Sequence, residues 1–252
     1  MGFRVAALTC SLLVIASSLS AAAEIPAAPK ASSYASAKDL VAALDDYIER
    51  IEEVLADPGE FADLQSRMVK DAETISVLAL VLGLHDEDNV YKAAAGELIK
   101  SSQAVAQAAD YKAAKAAFEQ LKAAKSAKGA AVTGWVRVAS LKALMEQVPL
   151  VNSRLNRNMR RFERQADGIA QDAAVLAAIA QGSMANLEET IQPSNSEKWF
   201  AFCQQMRDAA AVLNKAAVAK DEAGAKDAEA ALAKSCDDCH AVFHPEGLES
   251  AK

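Results

Sequence analysis

Leu40, Leu44, Ile48, Ile51 and Leu55 stand three or four residues apart, and that interval recurs along most of the chain. Such a step gathers apolar side chains on one face of an α-helix, whereas a half-buried strand would alternate them. Leu64, Met68, Ala72, Ile75, Leu78 and Leu82 make a second stripe. "VYKAAAGELIKSSQAVAQA" and "YKAAKAAFEQLKAAKSAKG", on either side of Asp110, supply two more helices. The pattern then starts again with Val138, Leu141, Met145, Val148, Asn152, Leu155 and Met159, followed by Phe162, Ala166, Ile169, Ala173, Leu176 and Ala180. Trp199, Cys203, Met206, Ala210 and Leu213 come next, and Ala225, Ala228, Leu232, Cys236, Cys239 and Phe243 close the series. Ala, Lys, Glu, Leu and Gln dominate and aromatics are only 5%, a composition that favours helix. Of the prolines, only Pro149 falls inside a stripe, where it removes a helix hydrogen bond and predicts a bend.

Eight amphipathic segments with short connections predict an all-α fold of two tandem antiparallel four-helix bundles. The halves echo each other in order. "ISVLALVLG" is answered by "AAVLAAIAQ", "VYKAAAGELI" by "WFAFCQQMRD", and "LKAAKSAKGAAV" by "LAKSCDDCHAVF". This reads as a duplication: residues 24–35 form an N-terminal extension, 36–131 the first bundle and 132–252 the second. No flexible linker is expected at the boundary, and the fourth helix of the first bundle is expected to run on into the second.

The first 23 residues read differently. A basic start at Arg4, the apolar "VAALTCSLLVIASSLS" and small residues in "AAA" before Glu24 predict a secretory signal peptide cleaved after Ala23. A retained anchor is the alternative, because Val5 to Ala23 could nearly reach across a bilayer. No later segment is apolar enough for long enough to span. The expected product is exported, periplasmic and soluble, with no stable membrane insertion after cleavage. A net charge of −7 without a basic patch argues against nucleic acid and limits attraction to anionic lipid.

The chemistry concentrates in "SCDDCHAVFH", residues 235–244. Cys10 leaves with the signal peptide, so Cys203, Cys236 and Cys239 remain, an odd number that does not suit a simple disulfide framework. Three chemistries use Cys-x-x-Cys. A zinc site needs four ligands, or three and water, and here only Cys236, Cys239 and His240 or His244 are on offer. A redox dithiol sits at a helix start beside a β-α-β pattern, and this motif ends a helix in a chain without strands. Cys-x-x-Cys-His is the signature of c-type haem attachment: both thiols form thioethers and the adjacent imidazole reaches the iron.

A four-helix segment whose last helix carries "CDDCHAVF" close to the C-terminus resembles the class II cytochromes c, the cytochrome c′ and cytochrome c556 group. The resemblance covers residues 132–252 and is specific at Cys236, Cys239, His240 and Phe243, which match the family's Cys-x-x-Cys-His-x-x-Phe/Tyr ending. It implies one covalent haem c per chain, with His240 as proximal ligand. Members of the c556 type have a first-helix Met on the other face of the iron, and Met145 in "SLKALMEQV" holds that place. The family's Arg-Gln-x-x-Met is matched only at the Met, and Met159 and Met184 are further candidates. The cytochrome c′ type leaves the iron five-coordinate and open to nitric oxide or carbon monoxide. Asp237 and Asp238 replace a residue that is often basic in the family and read as solvated charges.

The resemblance implies a periplasmic electron carrier, with a gas-binding or sensing protein as the alternative and a non-redox scaffold as a third possibility. Periplasmic redox proteins and the cytochrome c maturation machinery are the implied partners, and a monomer or weak homodimer the implied state. Nothing reads as an enzyme: no Ser-His-acid group, phosphate loop or paired carboxylates stand out. Between Cys10 and Cys203 there is no cysteine, so the first bundle is expected to be haemless. Class II cytochromes often pair through their early helices, and the first bundle is expected to stand in for the second subunit. Cys203 and Trp199 read as core, His85 as a helix cap, and His244 as a surface residue.

Overall fold

The structure, a computed structural model, describes residues 24–246. The expected signal peptide therefore lies outside the described residues. Within them the chain forms eight α-helices and no strand: α1 Ala37–Val54, α2 Phe61–Leu84, α3 Ala95–Ala106, α4 Tyr111–Ala124, α5 Leu141–Met159, α6 Phe162–Ser183, α7 Ser196–Val218 and α8 Glu222–Phe243. The all-α expectation holds. Among the described residues, no helix is long and apolar enough to cross a membrane.

Local chemistry sets the helix ends. Ser36, Asp110, Ser140 and Asp221 each accept a hydrogen bond from the backbone N–H three residues on, satisfying a donor that the first helical turn leaves free. Lys220 closes α7 in the left-handed region at φ 54°, and Asp221 starts α8 immediately after it. α3 begins later than its apolar run, because residues 90–94 form turns in which Tyr91 anchors its hydroxyl on Asp45.

Consecutive helices pack on one another within α1–α4 and again within α5–α8, and α1 and α2 lie against α5 and α6. The corresponding helix pairs of the two halves thus face each other. One apolar core runs from Ala31 to Leu232 through both sets. α2 and α6 occupy its centre. Ser76 to Leu82 and Ala173 to Gly182 are buried on every side, which explains why "ISVLALVL" and "AAVLAAIA" are apolar all round instead of striped. Gly182 lets them approach: a Cβ there would stand 2.8 Å from Val77 Cγ1.

One expectation fails. α4 does not continue into the second half; it stops at Ala124, and residues 125–140 cross as a strap without helix. The strap is anchored, with Gly129 N–H donating to Ala93 O at 3.0 Å. Gln103 donates to Val138 O at 2.8 Å, Asn186 to Ala139 O at 2.8 Å, and Ser140 N–H to Glu73 at 3.0 Å. These contacts give its backbone groups the partners that a continued helix would have supplied.

Candidate functional site

α8 packs along α7 and α5 packs along α6, but α5 and α8 do not pack along one another, and a cleft runs between them. Two cavities of about 260 and 520 Å³ fill it and share Met145, Trp199, Cys239 and His240 in their walls. The wall from α5 is Met145, Val148, Pro149 and Asn152; that from α7 includes Phe202, Cys203 and Met206. The opposite wall is Ser235 to Asp237, Cys239 and His240 of α8.

The motif faces this cleft because of helical spacing. Cys236, Cys239 and His240 are separated by three and four positions and so share one face of α8. Ser235 folds its hydroxyl back onto Leu232 O at 2.7 Å, and Asp238 turns outward to pair with Lys234 at 2.5 Å. Among the described residues, Cys203, Cys236 and Cys239 are free thiols. Burial pushes Cys236 up, and burial together with the neighbouring Cys236 pushes Cys239 to about 11. Burial also raises Cys203, the most enclosed of the three. Each thiol therefore keeps its proton at neutral pH. Burial lowers the His240 imidazole, assisted by His244, and so favours the neutral ring, the form that can ligate a metal.

The end of α8 is held by an aromatic cluster. Trp199 donates its indole N–H to Ser183 O at 3.1 Å, and its ring meets Phe243 edge to face at 5.2 Å. Phe202 meets Phe243 from another side at 6.2 Å. Phe243 is buried in this cluster, which also fixes the angle at which α8 passes the cleft. Gln192 ties the loop before α7 to Val242 O at 3.0 Å.

The candidate residues separate clearly. Met145 is half-buried and borders both cavities across from the motif. Met159 packs into the main core at the far end of α5. Met184 is buried in the aromatic cluster, where its sulfur accepts from Gln181 at 3.6 Å. Neither borders the cleft. Pro149 sits within α5 on the cleft wall, and Cys203 is buried beside it. His85 is the residue that ends α2, its backbone N–H donating to Leu82 O, while its ring reaches outside the helix with Nε2 3.1 Å from Ala35 O. His244 is exposed, yet its ring stands edge-on to His240 at 5.4 Å, a contact that its position before Pro245 did not suggest. Met206, Phe202 and Ser183 also line the cleft and were not singled out beforehand. The one available signal was Asn152, a polar residue on an otherwise apolar stripe.

In the first half the matching space is closed. Phe118 and Leu121 of α4 are buried against the core, and Lys125 and Tyr91 converge on Asp45 of α1 at 2.7 and 2.5 Å. Among the described residues, no group of three or more His, Cys, Asp or Glu side chains converges to hold a metal ion. The protein-only donor set that a zinc site needs is thus missing there. Comparison with known protein families, with curated proteins and with solved structures returned no match.

Proposed function

We propose that the chain is a periplasmic monohaem c-type cytochrome that carries electrons, built as two tandem four-helix bundles of which only the second holds haem. One observation carries this reading: two free thiols and a neutral imidazole share a helical face on an apolar cleft, with a methionine on the opposite wall. Those residues fit a covalently attached haem. Cys236 and Cys239 would bind it through thioethers, and His240 and Met145 would supply ligands to its iron. When bound, the group supplies one-electron redox chemistry at iron.

The rest is the work of the polypeptide. Packing of α8 on α7 and the Trp199–Phe243 contact hold His240 in place. Val148, Phe202 and Met206 give the cleft apolar walls, and such surroundings would tune the potential by disfavouring charge at its centre. The first bundle takes the place that a second subunit occupies in the class II cytochromes, since α1 and α2 cover the faces of α5 and α6.

Exported protein from a host able to attach haem tests the proposal. The expected results are an intact mass greater by one haem, located on the 235–244 peptide, and a six-coordinate low-spin spectrum. A bare polypeptide overturns the cytochrome reading. A high-spin spectrum that shifts with carbon monoxide moves it to the five-coordinate, gas-binding alternative.

A further inference from the structure

Asp71 of α2 and Gln147 of α5 meet where the two halves join, and neither is more than 2% exposed. Gln147 Nε2 donates to Tyr47 OH at 3.0 Å and to Asp71 Oδ1 at 3.4 Å. Two atoms are left without a partner: Asp71 Oδ2 and Gln147 Oε1. With the carboxyl ionised both are acceptors, and each would be stranded in the core, an arrangement that folded proteins avoid. The two orphans belong to side chains that are already joined. A proton on Oδ2 makes that oxygen a donor, and the amide oxygen of its own partner is the acceptor still free.

We propose that Asp71 is held as a neutral carboxylic acid when the folded chain is in weakly acidic solution, and that its pair with Gln147 is then a proton-dependent lock between the two halves. Every neighbouring element has a say in that proton. α1 contributes Arg50 and the Tyr47 hydroxyl, and α2 contributes Arg67, whose Nε stands 3.7 Å from Oδ2, too far for a hydrogen bond. α5 contributes Arg154, which is already engaged by Asp172 of α6 at 2.7 Å. The guanidinium groups pull the Asp71 carboxyl down, but burial is the larger effect and raises it to about 6. Burial also raises Asp172, so the global pH profile carries both groups and only a substitution at Asp71 isolates the lock.

The sign follows from linkage. Between the ordinary value of 3.8 and about 6, the folded chain keeps a proton that the unfolded chain has released. Stability from the lock is therefore full below pH 3.8, falls as pH rises through 6, and is gone above that. Asp71→Asn tests this, because an amide supplies the same donor and acceptor without titrating. The variant is expected to match the wild type at pH 4 and to fold more favourably at pH 8. The expected gain there is roughly a hundredfold in the folding equilibrium constant. Arg67→Gln, which removes one of the guanidinium groups that pull the carboxyl down, is expected to move the transition to higher pH. The infrared difference between wild type and Asp71→Asn gives a second reading: a protonated-carboxyl band present in the difference at pH 4.5 and absent from it at pH 8. An Asp71 carboxyl that titrates below pH 4, or an Asp71→Asn chain less stable than the wild type at pH 8, overturns the proposal.

Discussion

The two halves order their helices alike and treat the space between the first and last helix in opposite ways. In α1–α4 that space is closed by Phe118, Leu121 and the Asp45–Lys125 pair. In α5–α8 it stays open, and the side chains around it are thiols, an imidazole and thioethers. A helical hairpin pair can therefore be finished in two ways: with its own side chains, or with a group that the chain must acquire. Under the proposed function, the cleft of α5–α8 is finished in the second way. The first half needs no such completion, and its cysteine-free sequence agrees.

The strongest test of this contrast is removal of the proposed attachment points. Cys236→Ala together with Cys239→Ala is expected to abolish covalent haem entirely, read by intact mass and by loss of the visible absorption band. Peptide mapping of the wild type is expected to find no haem on any fragment of residues 36–131. Haem on the first half would erase the distinction between the halves.

Next in size is the packing asymmetry. Leu121, fully buried in the closed half, is expected to lose about 2–5 kcal/mol of stability as Leu121→Ala in denaturant unfolding. Val148→Ala, on the open cleft wall, deletes less apolar volume from a site with fewer neighbours and is expected to lose about 1 kcal/mol. Equal losses would mean that the cleft is as tightly packed as the closed half.

The joint between the halves gives a smaller effect. Gly182→Ala places a methyl group 2.8 Å from Val77 Cγ1, and overpacking of this kind is expected to destabilise by about 1–3 kcal/mol. Val77→Ala in the same chain is expected to recover part of that loss, the coupling expected of residues in contact. Additive losses would show that α2 and α6 do not meet there.

Much of this architecture was legible in the residue order. Stripes at helical spacing place all eight helices, since repeated burial of one face leaves a local signature. That Cys236, Cys239 and His240 share one helical face was legible as well, because their spacing of three and four sets it locally. What could not be read depends on residues distant in sequence. Gln147 meets partners 76 and 100 residues away, and nothing near it marks it as a core residue. The strap was missed for a related reason. Ala-rich sequence through Ala124 favours helix locally, but the long-range anchors at Ala93, Gln103 and Glu73 draw residues 125–140 away from it. Met206 and Asn152 were visible on their stripes. Only the separation of α5 from α8 turns those stripes toward a cleft.

The smallest stability effect belongs to the residue that most sharpens the functional side of the contrast. Met145→Leu keeps volume and apolar character on a half-buried wall, so the expected loss is under about 1.5 kcal/mol. The sulfur is what disappears. If Met145 occupies the second face of the iron, the variant is expected to lose the methionine–iron absorption band and to bind carbon monoxide, with its helical content unchanged by circular dichroism. Met159→Leu, in the main core and off the cleft, is expected to leave the spectrum alone. A Met145→Leu spectrum identical to that of the wild type would remove the thioether from the iron. The open half would then be a cleft finished by haem on one side only, with its remaining space available to a small ligand.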